Sequence, residues 1–459
     1  MFQFINVGHP DEIKQKRNQR SIKQHAIRRG IEKSKPERDR RKDVFVPVKF
    51  DDANELAHRT KAILSPRFMR APSMALMDPF DTLCASPERL RVLMNHPSAR
   101  QAGEPIFCVE GTGKLYFQGL EAVFKGALID PVLFNALSLM LALAAHNNFP
   151  NVEILVYRGK LLDSLTTATK DEGLRPRLST ITAMLMLIGY EYRVDGSDCE
   201  GIAVHIRAVQ VMLQRYGDPH EPIIEQLHRA LFWQDLLSCL LLESRRVISH
   251  EDYSEYRALK LMDGTEEVPT GFFSVIHIFQ EDFVAILQDI QLLCTLVDES
   301  RRPFEELPMD SSQANLESRM VDLLSKAKHS SNLNIVYRTC IFAAYLCTYN
   351  LSTGIWMGYF VPEVCVDQIY RSVTEATHDQ FAPKVLLWVL SVAGGLTQRN
   401  VVKKRYIERI RTIGRHLDGL YQDLDTFMGV MKEFIWCERT MGEKMSSFWR
   451  ELHNPLPAS

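Results

Sequence analysis

Between Leu178 and Leu452, apolar residues recur three and four positions apart in one stretch after another, a spacing that only α-helices convert into a continuous buried face. "LSTITAMLMLIGYEYR" (178–193) and "GIAVHIRAVQVMLQRYG" (201–217) flank "VDGSDCE", a loop that would join two antiparallel neighbours. "EPIIEQLHRALFWQDLLSCLLLESRR" (221–246) and "VIHIFQEDFVAILQDIQLLCTLV" (275–297) repeat the pattern. So do "ANLESRMVDLLSKAKH", "NLNIVYRTCIFAAYLC", "PEVCVDQIYRSVTEAT", "PKVLLWVLSVAGGL" and "QRNVVKKRYIERIRTIGRHL". The last stretch, 424–452, is long enough to break once near Trp436. Earlier in the chain, Ser86-Pro87-Glu88 is a helix cap, a first-turn proline and a first-turn acid in order. Asp130-Pro131 opens "VLFNALSLMLALAAHNN" (132–148) in the same way. Only "VFVPVKF" and "EPIFCVE" alternate like strands. The sequence therefore predicts an all-α protein, a large multi-helix domain of antiparallel helix pairs, with no fixed-period repeat of the solenoid kind.

At 459 residues the chain exceeds what one core usually organises, so a large domain with appendages, or two domains, is expected. With 46% hydrophobic and 24% charged residues it has the composition of a soluble globular protein. Its nine cysteines are scattered without a CxxC pair, which predicts free thiols in a reducing compartment rather than a disulfide framework. The start "MFQFINVGHPDE" lacks the basic-then-apolar order of a secretory leader. Residues 339–362 carry no formal charge and raise the alternative of a membrane-attached protein. Thr348, Asn350, Ser352, Thr353 and Gly354 interrupt that segment, so it reads as a buried helix and loop without stable membrane insertion.

The least balanced stretch is residues 14–42, with 13 Lys/Arg against three acids in a chain of net charge −2. We divide the sequence into a basic arm (1–43), a linker (44–75) and the helical domain (76–459). The arm has a helix start at His9-Pro10, but Ile13, Ile22, Ala26 and Ile27 are too sparse to bury it, and a largely disordered arm is expected. Arg28-Arg29 and Arg40-Arg41-Lys42 have the spacing of a bipartite nuclear-import signal. The same five side chains could contact DNA phosphates, with an affinity steep in salt and blind to sequence. No aromatic residue lies between Lys14 and Lys42, which disfavours base stacking on single strands. Ser65-Pro66 and Ser86-Pro87 are candidate sites for proline-directed phosphorylation, although the helix-cap role is the stronger reading of Ser86.

None of the catalytic patterns in the sequence is complete. "EGTGKLYFQG" cannot be a phosphate loop, because Cys108 and Leu115 stand where that loop needs Gly and Ser or Thr. Asp51, Asp52 and Glu55 fit the DDxxE pattern of magnesium-dependent all-α terpenoid synthases, the alternative enzyme reading. Its partner motif fails, since Ser238 and Glu243 are five residues apart and fall on different helix faces. His205, His220, His228 and His250 show no zinc spacing, and there is no GxSxG elbow. No catalytic residue, metal or cofactor is therefore assigned. The five tryptophans read as core anchors, with an apolar effector pocket between helices as the other use for them and for "MLML".

These segments together resemble the fungal-specific transcription factor domain, the second family of that name. "FQFINVGHPDEIKQKRNQRSIKQHAIRR" is similar to the family's opening, with Arg20, Ile22, Lys23 and His25 in its basic phrase. "DPFDTL" (78–83) looks like the phrase that opens its helical region, and "DPVLFNALSLMLALAAH" like the next helix. "LIGYEYRVDGSDCEGIAVHIRAVQVMLQRYG", "FWQDLLSCLLLESRR", "LLWVLSVAGG" and "FIWCERTMGEKMSSFWREL" follow in the family's order. The resemblance implies a nuclear, non-enzymatic, α-helical regulatory domain, and we expect that domain to bind other transcriptional regulators, self-associate or take a small apolar effector. Relatives pair the domain with an N-terminal six-cysteine zinc cluster that reads DNA. The first 83 residues here hold no cysteine, which removes the usual source of sequence-specific DNA contact.

Overall fold

Ten or more consecutive residues are buried in each of five helices, a pattern that only a helix wrapped on all sides can show. The computed structural model describes residues 87–96, 130–170, 176–194, 199–216, 222–253, 267–299, 306–329, 334–351 and 360–454, with positions 98, 102 and 127 besides. Among them are fourteen α-helices and no strand. The basic arm, the linker, both strand-like phrases, Asp51, Asp52, Glu55, Ser65 and Ser86 lie outside the described residues. All described residues fall within one compact unit, Met69–Ser459.

The helices are α1 Pro87–Met94, α2 Pro131–Ala145, α3 Val152–Thr169, α4 Leu178–Glu191, α5 Cys199–Tyr216 and α6 Pro222–Leu242. There follow α7 Glu281–Glu299, α8 Glu306–His329, α9 Ile335–Leu351, α10 Phe360–Glu375 and α11 Pro383–Leu396. The chain closes with α12 Asn400–Thr412, α13 Leu424–Lys432 and α14 Glu438–His453. The wrapped helices are α2, α4, α6, α9 and α11, and with α8 they form an inner row in which each packs on the next. The remaining long helices cover this row: α3 lies on α2, α5 on α4 and α6, α7 on α8 and α9, α10 on α9, and α12 and α14 on α11. Consecutive helices are thus usually neighbours, as the short connections require.

Local chemistry explains the boundaries. Asp130 caps α2 by accepting from the Val132 amide at 2.9 Å, and Pro131 occupies the first turn. The end of α2 turns through Asn147 and Asn148, both left-handed (φ 53° and 64°), a conformation asparagine tolerates better than most residues. Asp298 near the end of α7 caps α14, accepting from the amides of Glu438 (2.8 Å) and Arg439 (2.9 Å). The expected break near Trp436 falls at residues 433–437, between α13 and α14.

Two expectations need correction. Residues 275–280 do not begin a helix; Ile276–Ile278 is a single 3-10 turn and α7 starts at Glu281. Likewise α6 stops at Leu242 instead of running to Arg246, because Glu243 adopts a left-handed φ of 50° and reverses the chain. One helix is not in the sequence reading at all. α3 buries Ile154, Tyr157, Leu161 and Leu165 at helical spacing but exposes Val152, Leu155 and Val156, which blurs its period.

An aromatic cluster surrounds Trp388 of α11, which is fully buried and stacks on Phe434 at 5.0 Å, with Phe272 edge-on to both. Gly271 is required there: a Cβ at this position would lie 2.6 Å from the Phe434 ring, while the Gly271 amide donates to Glu433 O at 2.8 Å. Residues 335–351 form α9, 17 residues long, and among the described residues no helix is long and apolar enough to cross a membrane.

Candidate functional site

Among the polar constellations of the described residues, two bear on function. The first is interior. Asp235 of α6 is fully buried and accepts from Arg246 Nε at 2.7 Å and from the amides of Val247 and Ile248, each at 3.1 Å. The chain reversal at Glu243 makes this possible, since in a continuous helix residues eleven apart would be separated by roughly 16 Å. Arg246 continues to Ser318 Oγ of α8 at 2.7 Å and lies 5.2 Å from the centroid of Phe232. Burial disfavours the Arg246 charge, but Asp235 outweighs it and holds the guanidinium above its ordinary range.

His250 Nδ1 stands 3.0 Å from the same Ser318 oxygen, and Asp322 adds a carboxylate to the group. A serine, a histidine and an acid in one cluster suggest a nucleophile, but Ser318 is wholly buried and its oxygen already accepts from Arg246. The arrangement ties the segment after α6 to α8. Burial lowers the His250 pKa and raises that of Asp322, so both lean towards their neutral forms. Burial beside Asp235 likewise pushes the Cys239 thiol up to about 12, which leaves it unreactive.

The second constellation is open to solvent. A cleft of about 970 Å³ lies among the start of α2, the second half of α3, the start of α4 and the outer face of α5. Asp130 builds its corner: besides capping α2 it accepts from Ser179 Oγ at 2.6 Å, which sets the first turns of α2 and α4 side by side. The start of α4 has neither a side-chain cap nor an acid in its first turn, so its amides keep their partial positive charge. Arg177 stands at that start, and Arg207 and Arg215 reach the cleft from α5. None of the three forms an ion pair among the described residues. The floor includes Thr180, which is 3% exposed, and Ser164, which accepts from Asn135 Nδ2 at 3.1 Å. Val132, Ala208, Val211 and Met212 supply an apolar side. Asp163 of α3 is the other acid among the described lining residues.

The side chains singled out from sequence sit elsewhere. Ser238 donates to the Asp235 carbonyl at 2.9 Å, and Glu243 pairs with Arg338. His205 bonds Glu191 at 2.9 Å, which raises its pKa, and His228 packs edge-on to Tyr253. His220 lies outside the described residues, among which no three or more His, Cys, Asp or Glu converge as for a metal. Trp388 and the "MLML" methionines Met184 and Met186 are core residues and do not line the cleft. Sequence reasoning missed Arg177, Arg207 and Arg215. A signal existed, because Val204, Arg207, Ala208, Val211 and Arg215 form one exposed or half-exposed stripe at helical spacing on α5.

Comparison with known proteins agrees with this architecture. The profile of the family described as "Fungal specific transcription factor domain" matches residues 117–455. Neither a curated protein nor a solved structure matches the chain at a significant level.

Proposed function

The chain belongs to the fungal-specific transcription factor domain family, and from that membership we propose a nuclear regulator that acts without catalysis, through its helical domain and its basic arm. The observation that carries the reading is the match across 117–455, preceded by an arm of net charge +10 between residues 14 and 42. In this reading Arg28, Arg29, Arg40, Arg41 and Lys42 direct import and add phosphate contacts that are not sequence-specific. The helical domain receives the signal, from an effector in the cleft, from other transcriptional regulators or from a second copy of the chain. A target sequence on DNA would then be read by a partner.

The test compares the intact protein with a variant in which those five basic residues are alanine. The intact protein should accumulate in nuclei and retain mixed DNA fragments at low salt, losing them steeply as salt rises. The variant should stay cytoplasmic and lose most DNA retention. An unchanged nuclear signal in the variant would remove the import role, and salt-insensitive retention would remove the phosphate role. When each is tethered to a reporter through an unrelated DNA-binding module, both proteins should change transcription. No effect from either would overturn the regulator reading.

A further inference from the structure

We propose that the cleft between α2, α3, α4 and α5 is an effector site for an organic acid, with a carboxylate or phosphate monoester head and a short apolar body. This deepens the regulator reading and rests on it.

The chemistry of the head group follows from what converges on one corner. Arg177, Arg207 and Arg215 line the cleft without ion-pair partners among the described residues. A guanidinium offers a planar fork that matches a carboxylate or a phosphate better than any neutral group. The uncapped start of α4 adds amide dipoles of the same sign. Against these stand two acids. Asp130 is hydrogen-bonded to the α2 amides and to Ser179 and keeps its negative charge, and Asp163 stands on the α3 wall. Among the described lining residues, three arginines and a helix start outnumber the two aspartates, which leaves this corner positive.

The floor supplies an independent observation. Thr180 is 3% exposed and its hydroxyl has no hydrogen-bond partner among the described residues, yet it forms part of the lining. A hydroxyl that reaches a cleft without a protein partner is the complement of a polar ligand atom. The apolar side fixes the rest of the ligand. Val211 is 44% exposed and Met212 lies next to it, so a short hydrocarbon chain laid there would cover surface that is open to water. A volume of about 970 Å³ suits a small molecule rather than a polymer.

Octanoate, octyl phosphate and 1-octanol serve as probes in calorimetric titrations of the full-length protein. Both acids should bind at least tenfold more tightly than the alcohol, and the tighter of the two distinguishes carboxylate from phosphate. The triple variant Arg177→Gln, Arg207→Gln, Arg215→Gln should lose at least tenfold for the acids and keep its circular dichroism, because the three side chains are exposed. Thr180→Val should weaken the acids with little effect on the alcohol. Equal binding of acid and alcohol, no binding of either acid, or full acid affinity in the triple variant would overturn the assignment. A tethered reporter separates the two readings. If acids do not bind but the tethered chain still regulates, the cleft assignment falls and the regulator stands. If acids bind and the tethered chain never regulates, the reverse holds.

Discussion

Replacing Asp235 with alanine removes one carboxylate that answers three donors at once. Arg246 would keep its charge at 6% side-chain exposure with its nearest anion gone, and the Val247 and Ile248 amides would lose their acceptor. Breaking a buried pair from one side costs about 3–5 kcal/mol, because the remaining charge is uncompensated. Each orphaned buried amide adds about 1 kcal/mol or more. The expected loss is therefore at least about 5 kcal/mol, which is large beside a typical stability of about 5–15 kcal/mol. Asp235→Asn keeps an acceptor oxygen and should lose about half as much. The informative variant is the double one, Asp235→Ala with Arg246→Met, which removes both charges and should recover about 3–5 kcal/mol relative to the single change, the cost of the uncompensated charge. Urea unfolding followed by circular dichroism measures all three, provided the slope against urea stays constant across the set. A single-variant loss below about 1 kcal/mol, or a double variant no better than the single, would show that the pair does not organise the segment after α6.

Two glycines should respond in opposite directions to the same change. At Gly394 a Cβ would lie 2.6 Å from the Phe448 ring and 2.9 Å from Tyr406 Cβ, so Gly394→Ala should cost about 1–3 kcal/mol by forcing α12 and α14 away from α11. At Gly159, inside α3, nothing lies within 4 Å, and Gly159→Ala should stabilise by about 0.5–1 kcal/mol through helix propensity alone. Thermal unfolding of both variants checks the pair. His205 has its pKa raised by its hydrogen bond to Glu191, so it binds a proton more tightly folded than unfolded. Its contribution is complete below the unfolded value near 6.5 and fades as pH rises through the higher folded value, so His205→Asn should destabilise more at pH 6 than at pH 8.5. An equal loss at both would refute the ion pair.

Much of this architecture can be read from the chain because the inner helices advertise themselves. α11 occupies residues 383–396, the same span as "PKVLLWVLSVAGGL", since Pro383 opens it and ten consecutive residues are apolar or small enough to bury. The break before α14 was legible for a related reason, because a helix of 29 residues with aromatic residues at its middle has too much surface for one neighbour. α3 was not legible: its outer face carries Val152, Leu155 and Val156, and apolar residues on both faces erase the period that a half-buried helix should show. The cleft was hidden with it, because α3 is one of its walls and Arg177 and Arg215 are 38 residues apart in sequence. The Asp235–Arg246 pair was hidden by a different cause. Reading 221–246 as one helix placed the two residues far apart, and only the left-handed Glu243 brings them together.

The row of wrapped helices also restricts how such a protein can change over time. A helix enclosed on every side has no spare face, so each substitution on α2, α4, α6, α9 or α11 must be accommodated by several neighbours at once. Outer helices carry no such obligation: on α5, a residue such as Val204 or Arg207 meets solvent and can be exchanged singly. Diversification should therefore concentrate on the covering layer, the rim of the cleft included. Descendants of one ancestor could then answer different stimuli while the interior that supports them stays nearly fixed.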